Sequence, residues 1–483
     1  MAKPKYTAGF HFILSTSDQT LDKKDRRAIR SHATKAQGKR RKAVQLQSWI
    51  NPDRSLRLAK ESDPSEPPLL SVPIPKRVGG DFSALQLPPG IEPAMIQDLV
   101  KLISLNKHGV YPYEVCLDVH PVERGWFPYM ISDICCIHSM MFSVRAFVDK
   151  SSDGDQISRQ AAFHYAQTLQ LLQARLNAFE QGRQDIVLCD STIMVINTLA
   201  EAAELTGDFA GAANHIDGLL KIVSLKGGVG SLNTHNNIQV KVCRADLGLA
   251  LRSGNRARLF REGIVWDCFI ANRGIIRCSH EPHEAQIHAF VDALDPKLAN
   301  SWKDLHAFSC LSNLAYQTTR KLSPNTYNEM MISILYRLTH LSFKDNPLRE
   351  AIRTALLTFS STIFMTRHYM QQPYEHLFNL FSSALFELCQ SKSIIVPRPI
   401  MLWLMMLNRM VAYEEPSPED WLSVWLDKAV SLTRVDTWPQ AHRILKSVMW
   451  VDFVHDAPGK KAFEAAIQRL ERPKESDIER ASL

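Results

Sequence analysis

The sequence predicts an all-α protein, an irregular array of packed helical hairpins behind a basic N-terminal head and a proline-rich linker. Three observations carry this. From about residue 94 to 470, apolar residues recur at steps of three and four, the spacing that lines one face of a helix. Segments alternating with period two are scarce, and the best strand candidate is the short Phe10-His11-Phe12-Ile13-Leu14. The chain has 483 residues, 45% hydrophobic and 22% charged, which is enough apolar material for a large core.

The head covers 1–50. Residues 1–60 hold 15 Lys/Arg and 4 Asp/Glu, a local balance of +11, while the other 423 residues hold 42 and 46, a balance of −4. The overall +7 is therefore a strongly basic head on a faintly acidic body. Its charge falls in two clusters: Lys23, Lys24, Arg26, Arg27, Arg30 and His32, then Lys39, Arg40, Arg41 and Lys42. Two basic clusters about a dozen residues apart have the layout of a bipartite nuclear-import signal, read by acidic grooves on a receptor. The same side chains suit DNA phosphates, where each contact releases counterions. Gln19 to Gln47 contains no proline and one glycine, so a basic helix of the kind a major groove admits is also open. A solvated basic tail is the plain alternative. The partners expected are a nuclear import receptor and DNA or a DNA-bound protein, and the expected location is the nucleus.

The linker covers 51–93 and carries 9 of the 25 prolines. Proline removes backbone donors and blocks helix propagation, so this stretch is expected to be extended. No apolar run approaches the roughly 18 residues of a spanning helix, so no membrane partner is expected. Phe10 to Leu14 is too short for a signal-peptide core. Nine scattered cysteines suit a reducing compartment better than a disulfide framework. A soluble intracellular protein is expected.

The helical body covers 94–471, followed by a flexible tail at 472–483. A clear stripe is Ile157, Ala161, Tyr165, Leu169, Leu172, Leu176 and Phe179, with Gly182 just beyond it. Further helices are expected at about 128–149, 185–205, 209–225, 234–252, 302–320, 326–343, 347–370, 375–391, 399–413, 419–432 and 458–471. Helices 185–205 and 209–225, hinged at Gly207-Asp208, read as one hairpin. No fixed repeat period stands out.

The stretch from Gly207 to Gly228 is the most informative of the body. Asp208 is placed to cap a helix, and Ala210, Ala212, Ala213 and Gly218 would let a neighbour approach closely. Leu219, Ile222 and Val223 supply an apolar face, and Gly227-Gly228 ends the helix where positive φ costs little. This stretch resembles the helical regulatory domain of fungal-specific transcription factors, in which small residues, a histidine, Gly-Leu, an apolar pair and a basic-Gly-Gly end follow in this order. Arg244-Ala245-Asp246-Leu247 followed by Ala250 is similar to that domain's next helix. Phe10 to Leu14, then Ile29-Arg30-Ser31-His32 and a Gly-Lys-Arg-Arg cluster, is similar to the N-terminus of family members without a zinc cluster. The resemblance implies a nuclear regulator of transcription and, for many members, control of secondary-metabolism genes. The family's six-cysteine zinc module is absent: the first cysteine is Cys116 and no Cys-x-x-Cys pair exists. A helical scaffold or adaptor acting through protein partners, without touching DNA, is the alternative.

No residue pattern argues for an enzyme, a cofactor or a metal. The best metal-like cluster is Cys278-Ser279-His280-Glu281-Pro282-His283-Glu284 with His288, and Cys268 upstream. His283 and His288 lie five apart, not the four that put two imidazoles on one helix face, so a surface loop entering a helix is expected. Glu284 favours that helix's N-terminus. Cys135-Cys136 read as buried small hydrophobes. Gly227-Gly228-Val229-Gly230 follows a helix, not a strand, so it reads as a helix-ending turn. His215 reads as a buried structural histidine. Met401, Trp403, Leu404, Met405 and Trp421, Val424, Trp425 read as core, with an apolar inducer pocket as the alternative.

Overall fold

Several helix starts in this protein follow capping residues written into its loops. The computed structural model describes residues 88–91, 95–96, 99, 112–118, 132–151, 157–232, 238–260, 263–274, 276, 278–365, 374–412 and 420–471. The chain divides into two units, Met1–Ile74 and Pro75–Leu483, and every described residue belongs to the second. The described residues form 15 α-helices and no strand; Leu117 and Leu322 make an isolated parallel bridge. The all-α expectation holds. The strand candidate Phe10 to Leu14, most of the proline-rich stretch and 472–483 lie outside the described residues.

Five helices build a first core: α1 (Ile134–Ser151), α2 (Arg159–Glu180), the single turn α3 (Gln184–Val187), α4 (Asp190–Thr206) and α5 (Phe209–Leu225). α1 packs on α2 and α4, and α4 packs on α5. Asp208 caps α5 by accepting from Gly211 N at 2.8 Å, and Gly207, at φ +82°, turns the chain between the two helices. α5 ends at Leu225, and Gly227 and Gly228 follow at φ +107° and +88°. The hairpin, its cap and its glycine stop are as the sequence indicates. The close-approach role of Gly218 is not: a Cβ there would meet nothing within 4 Å.

α6 (Ile238–Ser253) joins this core to a second one. Ile238 and Val242 pack in the first; Cys243, Leu247, Ala250 and Leu251 pack in the second. The remaining helices of the second core are α7 (Glu284–Asp292), α8 (Pro296–Gln317), α9 (Pro324–His340), α10 (Pro347–Phe364), α11 (Glu375–Gln390), α12 (Arg398–Val411), α13 (Trp421–Thr433), α14 (Trp438–Val448) and α15 (Asp452–Glu471). Asp295, Ser323 and Asn346 cap α8, α9 and α10, each directly before a proline that is already preset for the first turn. The Asp295-Pro296 start places α8 several residues before the expected 302. The apolar α12, with Trp403, Leu404 and Met405 fully buried, is the central helix; α13, α14 and α15 pack on it.

Three expectations change. The α2 stripe is rotated: Ala161, His164, Thr168 and Leu172 are buried, whereas Ile157, Leu169 and Leu176 are exposed. The polar pair is internal because His164 bonds His138 and the Thr168 hydroxyl donates to His164 O. α14 falls in a segment with no expected helix, whereas α7 starts at Glu284, where the loop was expected to enter a helix. Of the tryptophan segments, Met401 and Trp421 are half-buried and Val424 is exposed, so α13 carries less core than expected.

Candidate functional site

The ten predicted import or DNA-contact residues, Lys23, Lys24, Arg26, Arg27, Arg30, His32, Lys39, Arg40, Arg41 and Lys42, lie outside the described residues. Within the helical body, the densest chemistry surrounds a cleft between the 278–284 loop and α14. The cleft holds about 390 Å³ and is lined by Ser279, His280, Glu281, Pro439, His442, Arg443 and Lys446.

On the loop side, Cys278 and His280 meet Cys310 of α8. The Cys310 sulfur lies 3.4 Å from Cys278 Sγ and 3.4 Å from His280 Nε2. Cys310 is buried, and the other two are half-buried. Glu284, the first residue of α7, fastens the loop: its Oε2 accepts from His280 N at 3.1 Å and from Ser279 Oγ at 3.2 Å. Hydrogen bonding with Cys310 and His280 pulls the Cys278 thiol far below the usual range, while the adjoining Cys278 sulfur and burial push Cys310 up. The His306 ring sits one turn before Cys310 on α8, its centroid 5.3 Å from that of His280. Burial lowers His306 to about 4, so it is a neutral imidazole.

Of the cluster read from the sequence, Cys278 and His280 come together, and the other candidate ligands do not join them. His283 is half-buried and His288 exposed, and neither joins the cluster; Cys268 bonds to Asn300 O instead. The residues that sequence reasoning missed, His306 and Cys310, are four apart on one helix, a signal visible in the sequence.

The opposite wall is an ion-paired cluster. His442 Nε2 lies 3.3 Å from Asp452 Oδ1 and 3.1 Å from Asp456 Oδ1. Lys446 Nζ and Gln317 Nε2 donate to Asp452 Oδ2, and Trp450 Nε1 donates to Asp456 Oδ1. These bonds raise His442 to about 9, and Trp438 stacks on its ring. Burial opposes ionisation of Asp452, but the bonds from His442 and Lys446 win and hold it below the usual carboxylate value. This trio also has three metal-capable atoms close together, yet its carboxylates already have cationic or N–H partners. It is a structural knot that presents His442, Arg443 and Lys446 to the cleft.

Elsewhere, buried polar groups are fasteners. Asp246 accepts from Arg258 N, Leu259 N and the Tyr336 hydroxyl, and Arg244 donates to Phe364 O. Cys135 and Cys136 are fully buried, and desolvation raises both thiols, which suits inert core residues. His215 is half-buried on α5 and lowered by burial. Among the described residues, no helix is long and apolar enough to cross a membrane. Comparison with protein-family models, curated proteins and solved structures returns no match.

Proposed function

We propose that this chain is a nuclear regulator of transcription. Its basic head directs import and contacts DNA or a DNA-bound partner, and its helical body makes the regulatory protein contacts. The observation that carries the reading is the charge division: a balance of +11 in residues 1–60 against −4 in the rest, with the positive charge gathered in two clusters. The all-α body supports it, because the resemblance around Gly207 to Gly228 implies a helical regulatory domain. Control of a secondary-metabolism gene cluster is part of the same proposal and rests on the resemblance alone.

A tagged full-length chain and one lacking residues 1–50 test the import role. The full chain is expected in the nucleus and the shortened chain dispersed. Equal nuclear accumulation of both overturns the assignment of the import signal to the head.

A further inference from the structure

The geometry points to a binding site for a borderline-soft, thiophilic divalent cation of the zinc class, held by Cys278 Sγ, His280 Nε2 and Cys310 Sγ. The three donor atoms lie within 4.8 Å of one another. Two sides, both 3.4 Å, run from Cys310 Sγ to Cys278 Sγ and to His280 Nε2. In a tetrahedral zinc site, bonds of about 2.3 Å to sulfur and about 2.0–2.1 Å to nitrogen put two sulfurs roughly 3.8 Å apart and a sulfur and a nitrogen roughly 3.5 Å apart. Those two sides are therefore within about 0.4 Å of the edges of a zinc tetrahedron.

The donor chemistry selects the metal. Two sulfurs and an imidazole favour zinc-class ions over magnesium or calcium, which take oxygen ligands. Charge also balances. In the bound state both cysteines are thiolates, any proton still held having passed to solvent, and the two thiolates neutralise a dication beside a neutral imidazole. A partly buried site therefore needs no further counter-ion.

The donors are held from outside the triad. Cys310 is fixed on α8, a helix of 22 residues. Cys278 and His280 flank Ser279, and Glu284 clamps that loop through His280 N and the Ser279 hydroxyl. Support of this kind orients ligands before the metal arrives. Three protein donors leave the fourth tetrahedral position for water or an external group. His280 also lines the cleft whose walls carry Glu281, His442, Arg443 and Lys446. The assignment stands on these side chains alone and does not depend on the transcriptional reading.

Cobalt(II) added to the reduced, metal-free full chain under anaerobic conditions provides the test. An equimolar site is expected, with a thiolate-to-cobalt charge-transfer band, visible bands of tetrahedral cobalt, and displacement by zinc. Cys278→Ser and Cys310→Ser should each weaken binding at least ~100-fold, beyond the 10–100-fold typical of losing a supporting residue. His283→Gln and His288→Gln should leave it unchanged. A readout without variants is alkylation mapping, in which bound zinc should protect Cys278 and Cys310 above the other seven thiols. Absence of the charge-transfer band in the wild-type chain overturns the assignment. So does its survival in the double Cys278→Ser/Cys310→Ser variant. Formation of a Cys278–Cys310 disulfide in air, with no metal uptake by the freshly reduced chain, also overturns it and makes the pair a redox couple instead.

Discussion

Asp304 and Arg337 meet at 2.6 Å with 0% and 1% of their side chains exposed. The pair links α8 to α9, and Asp304 does more than balance a charge. Its oxygens also accept from Phe269 N, Ile270 N and Ala271 N, so one carboxylate holds a loop backbone against the second core. Removing either partner strands a buried charge, at a typical cost of about 3–5 kcal/mol. Asp304→Ala additionally orphans three backbone donors. It is therefore expected to lower the urea midpoint more than Arg337→Met does. The double variant Asp304→Leu/Arg337→Met should not recover wild-type stability, as an isolated ion pair replaced by apolar residues often does. Full recovery would show that the loop contacts carry no weight.

Asp246 offers a second test of the same kind. It lies on α6, where the two cores join, and bonds two backbone amides and the Tyr336 hydroxyl. Asp246→Ala should cost about 2–4 kcal/mol, from the loss of charge-assisted bonds and the groups left unpaired. Tyr336→Phe should cost about 1 kcal/mol, because Asp246 keeps its backbone donors. Denaturant titration by circular dichroism checks both.

Gly459 and Gly218 should respond oppositely to alanine. A Cβ at Gly459 would sit 2.6 Å from the Trp450 ring and 3.1 Å from Trp438. Overpacking there is expected to cost about 1–3 kcal/mol. At Gly218, inside α5 with nothing within 4 Å, alanine should stabilise by about 0.5–1 kcal/mol through helix propensity. Thermal unfolding of the two variants reads the difference in sign.

Stability should peak near neutral pH, with different histidines shaping each side. His442 is raised to about 9 by Asp452 and Asp456. Its contribution is complete below about pH 6.5, the ordinary histidine value, and is lost as pH rises through about 9. Burial lowers His164 and His306 to about 4 and His455 to about 3. Between those values and about 6.5 the unfolded chain binds more protons, so stability falls as pH falls. His442→Gln should lower neutral-pH stability by about 1–2 kcal/mol, allowing for solvent screening, and flatten the alkaline side while leaving the acid side. Unchanged alkaline behaviour would contradict the His442 assignment.

Much of the helical body is legible because its local signals agree: Asp208 caps, Gly207 and Gly228 turn, and apolar steps of three and four lie between them. The signals weaken where polar groups are internal. The α2 stripe was misaligned because His164 and Thr168 pair inside the protein, which periodicity of apolar residues cannot register. α14 was missed although its start is legible: Thr437 and Gln440 form a capping box around Pro439, with Gln440 Oε1 accepting from Asp436 N and Thr437 N. The candidate metal cluster was half legible. Cys278 and His280 are neighbours in sequence, whereas Cys310 comes to them only through the packing of α8 against the 278–284 loop.

Chromatin profiling of the wild-type chain beside a variant with Lys39, Arg40, Arg41 and Lys42 changed to alanine tests the central claim most directly. To separate import from DNA contact, both carry the same added import signal. A defined set of genomic sites for the wild type, lost or strongly depleted in the variant, is the expected result. A wild-type chain in the nucleus with no enriched sites would contradict it. A site set untouched by the variant would instead leave the basic head without its DNA role and favour an adaptor acting through protein partners.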